Sequence, residues 1–432
     1  MKSYTPHLVL GRRCFDESHP RVHSARSLLA DVRDLAPDIA SRAAEMETAR
    51  RMPPDLVDVL RSIGAFRMLV PQSHGGLELD LPVALEVIGA LARIEGSVGW
   101  TVAIASGGDI FAPLLSRETY DEVYRNGPDA ILAGSAQPAG TAEAVAGGWR
   151  VNGRWPFASG CQHADWMLGL CTMSSEGGKP LVRGVLLPAR EWRIEDTWHV
   201  AGLKGTGSHH IALTDAVVPA ANLFDFFGGI PCLPGPLYQG VRQFLPLLHA
   251  AVSVGMAEGA VDELVELANT GRQQLRAAVP MRDSEVFQAE LGRVEADLRA
   301  ARALLQVQAA SHWRHALAGT LRDEGLVSQG TQTATWVATT CVRIADACFA
   351  LGGGSALYET SPLQRRLRDL HTAAQHASAQ QRNYATAGKS LLIGSAAGSM
   401  LDGHGPMRRP RVRHLTPVPG RLDGTAGDDA RR

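Results

Sequence analysis

The sequence predicts an α+β fold in which a helical region, a compact β region and a second helical region follow one another. Apolar residues return every three to four positions from about residue 22 to 125, as amphipathic helices require. Short β-rich segments separated by glycine, proline or Asn-Gly occupy about residues 129–227. From about residue 237 to 394 the chain has long segments of helical periodicity joined by short loops, which are typical of an antiparallel bundle.

These patterns divide the 432 residues into parts with separate architectures. We expect an N-terminal helical domain over residues 1–128 and a central domain of antiparallel strands, arranged as a barrel or a sandwich, over residues 129–228. A C-terminal four-helix-bundle domain is expected over residues 237–400. Residues 401–432 are rich in proline, glycine and arginine, with little to bury, so we expect a disordered tail there.

Composition argues against several classes of function. The chain has 43 basic and 44 acidic residues, so no net field attracts nucleic acid or an anionic membrane. No apolar run reaches the roughly 20 residues of a membrane helix, and the N-terminus has no signal-peptide pattern, so a cytoplasmic location is expected. The six cysteines are scattered without C-x-x-C pairs, which indicates free thiols and no metal site. The neighbours His209 and His210 would face opposite sides of a strand and cannot hold one metal together.

Three blocks of sequence carry the candidate chemistry. The first is GGWRVNGRWPFASGCQHADW, residues 147–166. It is interpreted as a hairpin with Asn152-Gly153 at its turn and a second strand that ends at Ser159-Gly160. A small hydroxyl residue beside a glycine lets a planar ligand approach the backbone.

The second block, GLKGTGSHHIALTDAVVP, covers residues 202–219. Thr206 and Ser208 stand between glycines there, and their hydroxyls and nearby backbone N–H groups are suited to holding a phosphate. The chain has neither a G-x-G-x-x-G motif in a βαβ context nor a G-x-x-x-x-G-K-[ST] motif, so a Rossmann or Walker site is not expected.

The third block is LGGGSALYETSPLQRRLRDLHTAAQH, residues 351–376. Its glycine run, with Gly353 and Gly354, breaks a helix and presents backbone N–H groups to a ligand. His371 and His376 are five positions apart, so on an ideal helix they diverge by about 140° and do not form a metal pair.

The order of the three regions, together with these blocks, resembles the acyl-CoA dehydrogenase fold. Within it the chain is most similar to the oxygenase components of two-component flavin-dependent monooxygenases, the branch that includes p-hydroxyphenylacetate hydroxylases and dibenzothiophene monooxygenases. The resemblance covers roughly residues 30–395. It implies a homotetramer that takes reduced FMN or FAD from a separate flavin reductase. It further implies that flavin and O2 form a C4a-hydroperoxide, which oxygenates a small aromatic or heteroatom-containing substrate.

The resemblance also implies a flavin-binding role for residues in and around these blocks. In the family, the aromatic at Phe157 packs against the isoalloxazine, a hydroxyl at Ser159 hydrogen-bonds near N5, and the glycine loop often reaches a neighbouring subunit's cofactor. The implied set is Ser135, Gln137, Phe157, Ser159, Thr206, Ser208, Arg272, Gly353 and Gly354.

The candidate catalytic residues are His376 and Ser159. His376 stands close to where dehydrogenating members of the family often carry a carboxylate, since the chain reads Ala374-Gln375-His376 there. An imidazole at that place favours oxygen chemistry over dehydrogenation. His376 is expected either to deprotonate the substrate or to orient the peroxide. Ser159 is expected to retard the loss of peroxide from the flavin.

The sequence leaves two alternative functions open. An acyl-CoA dehydrogenase needs a carboxylate base, and Glu359 lies before the basic turn, although some members place the base on another helix. A non-catalytic subunit could retain the fold for assembly, and such a subunit would not bind flavin. The sequence leaves open the substrate, the oxygenated atom and the choice between FMN and FAD.

Overall fold

The computed structural model describes residues 20–173 and 180–393. The disordered tail predicted over residues 401–432 lies outside these ranges. The α-helices described are α1 (Pro20–Ser41), α2 (Ala43–Ala49), α3 (Pro54–Ser62), α4 (Leu81–Ile94), α5 (Gly96–Phe111), α6 (Arg117–Val123), α7 (Val241–Asn269), α8 (Glu285–Leu317), α9 (Glu324–Gly352), α10 (Pro362–Ala373) and α11 (Asn383–Ile393).

The described strands form one sheet between the two helical regions. They are β1 (Leu132–Val145), β2 (Gly148–Ala158), β3 (Trp166–Met173), β4 (Leu181–Pro188), β5 (Arg193–Glu195), β6 (His209–Val218) and β7 (Leu223–Phe224). Their order is β5-β6-β2-β1-β3-β4-β7, with β5 and β7 at the edges, so a closed barrel is not shown.

The sheet is mixed, which corrects the expectation of purely antiparallel strands. β1 pairs antiparallel with β2 on one side and parallel with β3 on the other. The reason is topological: the chain reverses after β1 and again after β2, so β3 runs in the same direction as β1 and joins its free edge. The other described pairings are antiparallel.

The predicted turn at Asn152-Gly153 is wrong, because both residues lie inside β2. The β1–β2 turn instead lies at residues 146–147, where Gly147 has a φ of +89°, and Gly148, the first residue of β2, has a φ of +148°. Gly153 is needed within the strand for packing, since a Cβ there would stand 2.5 Å from the Trp155 ring. Tertiary packing thus overrides the local turn preference of Asn-Gly.

Helix α5 lies at the centre of the molecule. It is buried on nearly all faces and packs against α4, α7 and β1. Its N-terminus is capped by the Glu95 side chain, which accepts a hydrogen bond from the Ser97 N–H at 3.3 Å. A Cβ at Gly99 would meet the Ala92 Cβ at 2.5 Å, so glycine there permits the close approach of α4 and α5. Trp100 on this helix therefore lies at the junction of all three regions.

Helices α7, α8, α9 and α10 pack against one another as the C-terminal bundle. One hydrophobic core runs through both helical regions, and a smaller one with Trp155 and Trp192 lies at the sheet. Two helical stretches, Val241–Asn269 and Gly325–Leu357, are long and apolar enough to span a membrane. Core helices pass the same test, so this is weak evidence for a span. The predicted α+β fold class is confirmed.

Candidate functional site

Four side chains from separate elements meet beside the sheet: Trp100 on α5, Ser159 after β2, His249 on α7 and His376 after α10. The rings of His249 and His376 are stacked, with centroids 3.9 Å apart and planes inclined by 20°. Trp100 stands edge-on to both, at centroid distances of 5.1 Å from His249 and 5.7 Å from His376. The structure therefore joins the first and third sequence blocks through two residues that lie outside them.

A chain of buried hydroxyls continues from this aromatic cluster. The Trp100 Nε1–H donates to Ser159 Oγ at 3.0 Å, and Ser159 Oγ lies 2.7 Å from Ser208 Oγ. Ser208 Oγ lies 2.6 Å from Thr206 Oγ1, which donates to the Leu203 carbonyl at 2.7 Å. The hydroxyls of Thr206 and Ser208, which the sequence associated with a phosphate, are therefore engaged inside the protein.

His376 is fixed in orientation and in protonation state. It precedes a short 3-10 turn instead of lying on α10, and its Nδ1 accepts the Ser378 N–H at 3.2 Å. A neutral His376 ring therefore carries its proton on Nε2 and acts as a donor there. Burial, and the proximity of His249, place the pKa of His376 well below its usual value of 6.5, so the ring is neutral at pH 7.

The other histidine of that block, His371, points elsewhere. It is exposed and lies 2.8 Å from the Asp346 carboxylate. The divergence expected between His371 and His376 is thus observed, although it arises because α10 ends at Ala373, before His376.

His249 is a site residue that the sequence reasoning missed. Its Nδ1 lies 2.8 Å from the Leu245 carbonyl, which can only accept, so Nδ1 carries the hydrogen and Nε2 carries a lone pair. That Nε2 is buried and has no hydrogen-bond partner. Burial lowers the pKa of His249 to about 4. The available signal was a single histidine in the otherwise apolar stretch LPLLHAAVSVGMA, a pattern that is equally typical of a core histidine.

Phe157 is exposed and its backbone is strained. Its side chain is 64% exposed, and its φ of +65° lies in the left-handed region, which a bulky residue rarely adopts. Its ring stands edge-on to Trp198 and His210 at 6.3 Å from each. An exposed aromatic held in a costly conformation two residues before Ser159 indicates a ligand surface.

Ser135 and Gln137 lie where β1 bulges against β3. The register shifts between Ser135 and Pro138, and the buried Ser135 Oγ accepts the Gln137 N–H at 3.4 Å. A bulge of this kind redirects side chains and is common beside active sites.

Three predicted flavin contacts lie on a part of the surface away from Ser159 and His376: Arg272, Gly353 and Gly354. Arg272 is exposed and lines a depression of about 550 Å³ together with Ser355 and Tyr358. Gly353 has a φ of +57° and faces Gln274, whose Nε2 donates to the Leu351 carbonyl. None of the contacts described for residues 20–173 and 180–393 joins these three residues to Ser159 or His376.

The charged residues of the third block support the site from behind. Arg366 is buried and donates to the carbonyls of Ala92, Arg93 and Ile94 at the end of α4. The carboxylate of Asp369 accepts the Leu203 N–H at 2.6 Å and so anchors the loop that carries the hydroxyl chain. Burial, and the negative charge of Glu95, raise the pKa of Asp369 above the usual value for a carboxyl group.

The geometry contains no candidate metal centre, since no group of three or more potential metal ligands occurs in the part of the chain that the structure describes. His209 is buried and its Nδ1 accepts the backbone N–H groups of Thr197 and Trp198, at 3.2 Å each. His210 lies near Phe157.

Comparison with known proteins gives the family. Residues 23–122 match the acyl-CoA dehydrogenase N-terminal domain, and residues 247–381 match the acyl-CoA dehydrogenase C-terminal domain. An indole-3-acetate monooxygenase of Pseudomonas putida is 34% identical over 364 residues, which cover 84% of this chain and 91% of that protein. The chain belongs to the flavin-dependent monooxygenases of the acyl-CoA dehydrogenase fold.

Other members of this monooxygenase family agree with the assignment. The oxygenase component of an FADH2-dependent resorcinol hydroxylase from a Rhizobium species is 31% identical, covering 81% of this chain and 90% of its own length. Among solved structures, XiaF from a Streptomyces species, in complex with FADH2 and glycerol, has a TM-score of 0.81 at 28% identity and covers 86% of this chain and 96% of its own. The predicted enzyme class, a flavin-dependent monooxygenase, is confirmed.

Proposed function

We propose that this monooxygenase is the oxygenase component of a two-component system. It takes reduced FMN or FAD from a separate flavin reductase and uses O2 to oxygenate a small aromatic or heteroatom-containing substrate. The observation that carries the proposal is the junction of a neutral histidine pair with a buried serine beside an exposed, strained phenylalanine. A cytoplasmic location and a homotetramer belong to the same proposal.

The residues around Ser159 fit a flavin ring. Phe157 offers an exposed aromatic face, Ser159 an oxygen, and Ser135 with Gln137 a bulged strand edge for the polar side of the ring. A Cβ at Gly160, whose φ is +75°, would lie 3.0 Å from the Thr101 methyl group, so glycine there lets the turn after β2 pack closely against α5. A bound reduced flavin supplies the electrons with which O2 is activated.

The cluster of Trp100, His249 and His376 is proposed to be the substrate wall. It combines apolar ring surface with one donor, the Nε2–H of His376, and one unpartnered acceptor, the Nε2 of His249. A substrate with a hydroxyl or N–H group on an aromatic ring matches that chemistry. An acyl-CoA dehydrogenase needs a carboxylate as its base. The described contacts of His249 and His376 include no carboxylate.

Of the two roles considered for His376, the geometry supports orientation over proton removal. Its Nδ1 lone pair is occupied by the Ser378 N–H, which leaves a donor at Nε2. A donor holds an oxygen atom in place, whereas a base needs a free lone pair.

Replacing His376 tests the proposed function. We expect His376→Ala to lower product formation from a phenol or an indole by on the order of 10²-fold, because the reacting oxygen is no longer held in place, while reduced flavin still binds. The O2 consumed should then appear as H2O2, measured as H2O2 released per O2 consumed. His371→Ala is the matched control, since that histidine is exposed and paired with Asp346. Unchanged coupling in His376→Ala would show that the histidine has no such role.

A further inference from the structure

The hydrogen bonds along the chain of hydroxyls all point the same way, from Trp100 towards Leu203, as a count of the hydroxyl protons shows. Its side chains are all buried, with Trp100, Ser159, Thr206 and Ser208 at most 7% exposed. The indole N–H at one end can only donate, and the Leu203 carbonyl at the other end can only accept.

Each of the three hydroxyls has one proton, and each of three short oxygen–oxygen contacts needs one. The proton of Thr206 is used on the Leu203 carbonyl at 2.7 Å. The contact of 2.6 Å between Ser208 and Thr206 then needs the Ser208 proton, and the contact of 2.7 Å between Ser159 and Ser208 needs the Ser159 proton. Any other arrangement leaves two buried oxygens in contact without a hydrogen between them, which is costly. Ser159 thus has no proton left for a ligand.

From this count we infer that Thr206 and Ser208 are positioning residues that turn Ser159 into an obligatory hydrogen-bond acceptor and so make the site select reduced over oxidised flavin. The inference rests on the proposed function. A reduced flavin carries a hydrogen on N5 and can donate to the free lone pair of Ser159. An oxidised flavin has only a lone pair at N5, which would meet the lone pair of Ser159.

The surrounding backbone keeps the hydroxyl groups donating in the direction from Ser159 towards the Leu203 carbonyl. Leu203 has a φ of +51°, and its N–H is bound by the Asp369 carboxylate at 2.6 Å, which fixes the carbonyl that receives the Thr206 proton. The Gly160 N–H donates to the Thr206 carbonyl at 2.8 Å, so the loop is also tied to the turn that carries Ser159. Ser159 itself accepts the Trp100 N–H and keeps one lone pair free.

The test is the ratio of dissociation constants for oxidised and reduced FMN, and for oxidised and reduced FAD, measured by anaerobic titration. Thr206→Val keeps the shape of the side chain and removes its oxygen, so Ser208 turns its proton towards Ser159 and frees the Ser159 proton. We expect the ratio to fall about five- to tenfold, chiefly through tighter binding of oxidised flavin, as one hydrogen bond is gained. Ser208→Ala frees the Ser159 proton more directly and should give the same change.

Two variants serve as controls. Thr206→Ser retains the hydroxyl and should keep the wild-type ratio. Thr101→Val removes another buried threonine hydroxyl that donates to a carbonyl, that of Ser97 at 2.9 Å, outside the chain of hydroxyls, and should also keep it.

The outcomes separate this inference from the proposed function. A wild-type ratio in both Thr206→Val and Ser208→Ala would overturn the inference while leaving the function intact. Failure of the wild-type protein to bind reduced flavin would overturn the proposed function itself. Because Ser208→Ala deletes a single oxygen atom, it decides the question if Thr206→Val does not fold.

Discussion

At the residue scale, the site depends on two imidazoles whose protons are placed by backbone groups. The Leu245 carbonyl fixes the hydrogen of His249 on Nδ1, and the Ser378 N–H fixes the hydrogen of His376 on Nε2. The stacked pair therefore presents one donor and one acceptor, and burial keeps both rings neutral.

Replacing His249 with phenylalanine tests the role of its lone pair. His249→Phe keeps a flat ring against His376 and Trp100 but removes the nitrogen, so we expect product formation to fall by roughly tenfold while reduced flavin binds as before. The measurements are steady-state product formation and anaerobic flavin titration. His315→Phe is the control, since His315 is a histidine on α8 that pairs with Thr320. Wild-type product formation in His249→Phe would contradict the role.

The same burial makes stability depend on pH. The folded-state pKa of His249 is lowered to about 4, whereas an unfolded histidine titrates near 6.5. Between these values the unfolded chain binds a proton that the folded chain does not, so the stability is complete above about pH 6.5 and is lost as pH falls towards 4.

We expect the free energy of unfolding to fall by up to about 2 kcal/mol from pH 6.5 to pH 5 for this one group, as measured by urea denaturation. The decline should be shallower in His249→Phe. An equal decline in both proteins would show that His249 titrates normally in the fold.

The residues of the site were only partly predictable from sequence. His376 and Ser159 were identified through motifs, and each of them contacts Trp100. Trp100 and His249 could not be distinguished from core residues, because both stand in apolar helices and only the packing of α5 on α7 reveals them.

At the scale of elements, the basic segment that contains Arg366 acts as a clamp between the N-terminal helices and the bundle. Arg366 binds three carbonyls at the end of α4, at 3.1, 2.7 and 2.8 Å, and pairs with Glu263. Because α4 leads directly into α5, this contact also holds the helix that carries Trp100.

Removing that clamp should destabilise the fold. Arg366→Met leaves the Glu263 carboxylate and three carbonyls without their partner, so we expect a loss of about 3–5 kcal/mol in urea unfolding. The control is Arg302→Met, which breaks a more exposed pair with Glu258 and should cost about 1 kcal/mol or less. A loss in Arg366→Met no larger than that of the control would contradict the clamp.

Local sequence signals predicted the helices better than the strand connections. Periodicity over many residues defines a helix such as α8, which runs from Glu285 to Leu317. The prediction of a turn at Asn152-Gly153 was wrong because the packing of Trp155 over Gly140 and Gly153 outweighs the turn preference of the dipeptide.

At the scale of the whole molecule, three of the predicted flavin contacts lie away from the Ser159 site. They are Arg272, Gly353 and Gly354. The resemblance implies that the loop of Gly353 and Gly354 reaches a neighbouring subunit's cofactor, and Arg272 is exposed beside Ser355 of that loop. We therefore propose that Arg272 also faces the neighbouring cofactor in a homotetramer. The α+β class followed from the order of helical and β-rich segments, whereas the mixed sheet order depends on long-range pairing that no local pattern encodes.

The tetramer proposal makes a prediction for Arg272. We expect Arg272→Ala to weaken reduced-flavin binding by about tenfold without changing the oligomer, as one charge-assisted contact is lost. The measurements are anaerobic titration and light scattering after size exclusion. Arg282→Ala, an exposed arginine near the same loop that pairs with Asp283, should bind flavin as the wild type does. A monomeric wild-type protein that binds flavin normally would contradict the shared site.

The most direct test of the central claim is a single-turnover experiment. The protein is mixed anaerobically with reduced FMN or FADH2 and then with O2, and the recovery of oxidised-flavin absorbance is followed by stopped flow. We predict a lag, with recovery much slower than for free flavin, because the buried site protects the bound flavin while O2 reacts. Recovery at the rate of free flavin, with both cofactors, would contradict the assignment of this chain as an oxygenase component.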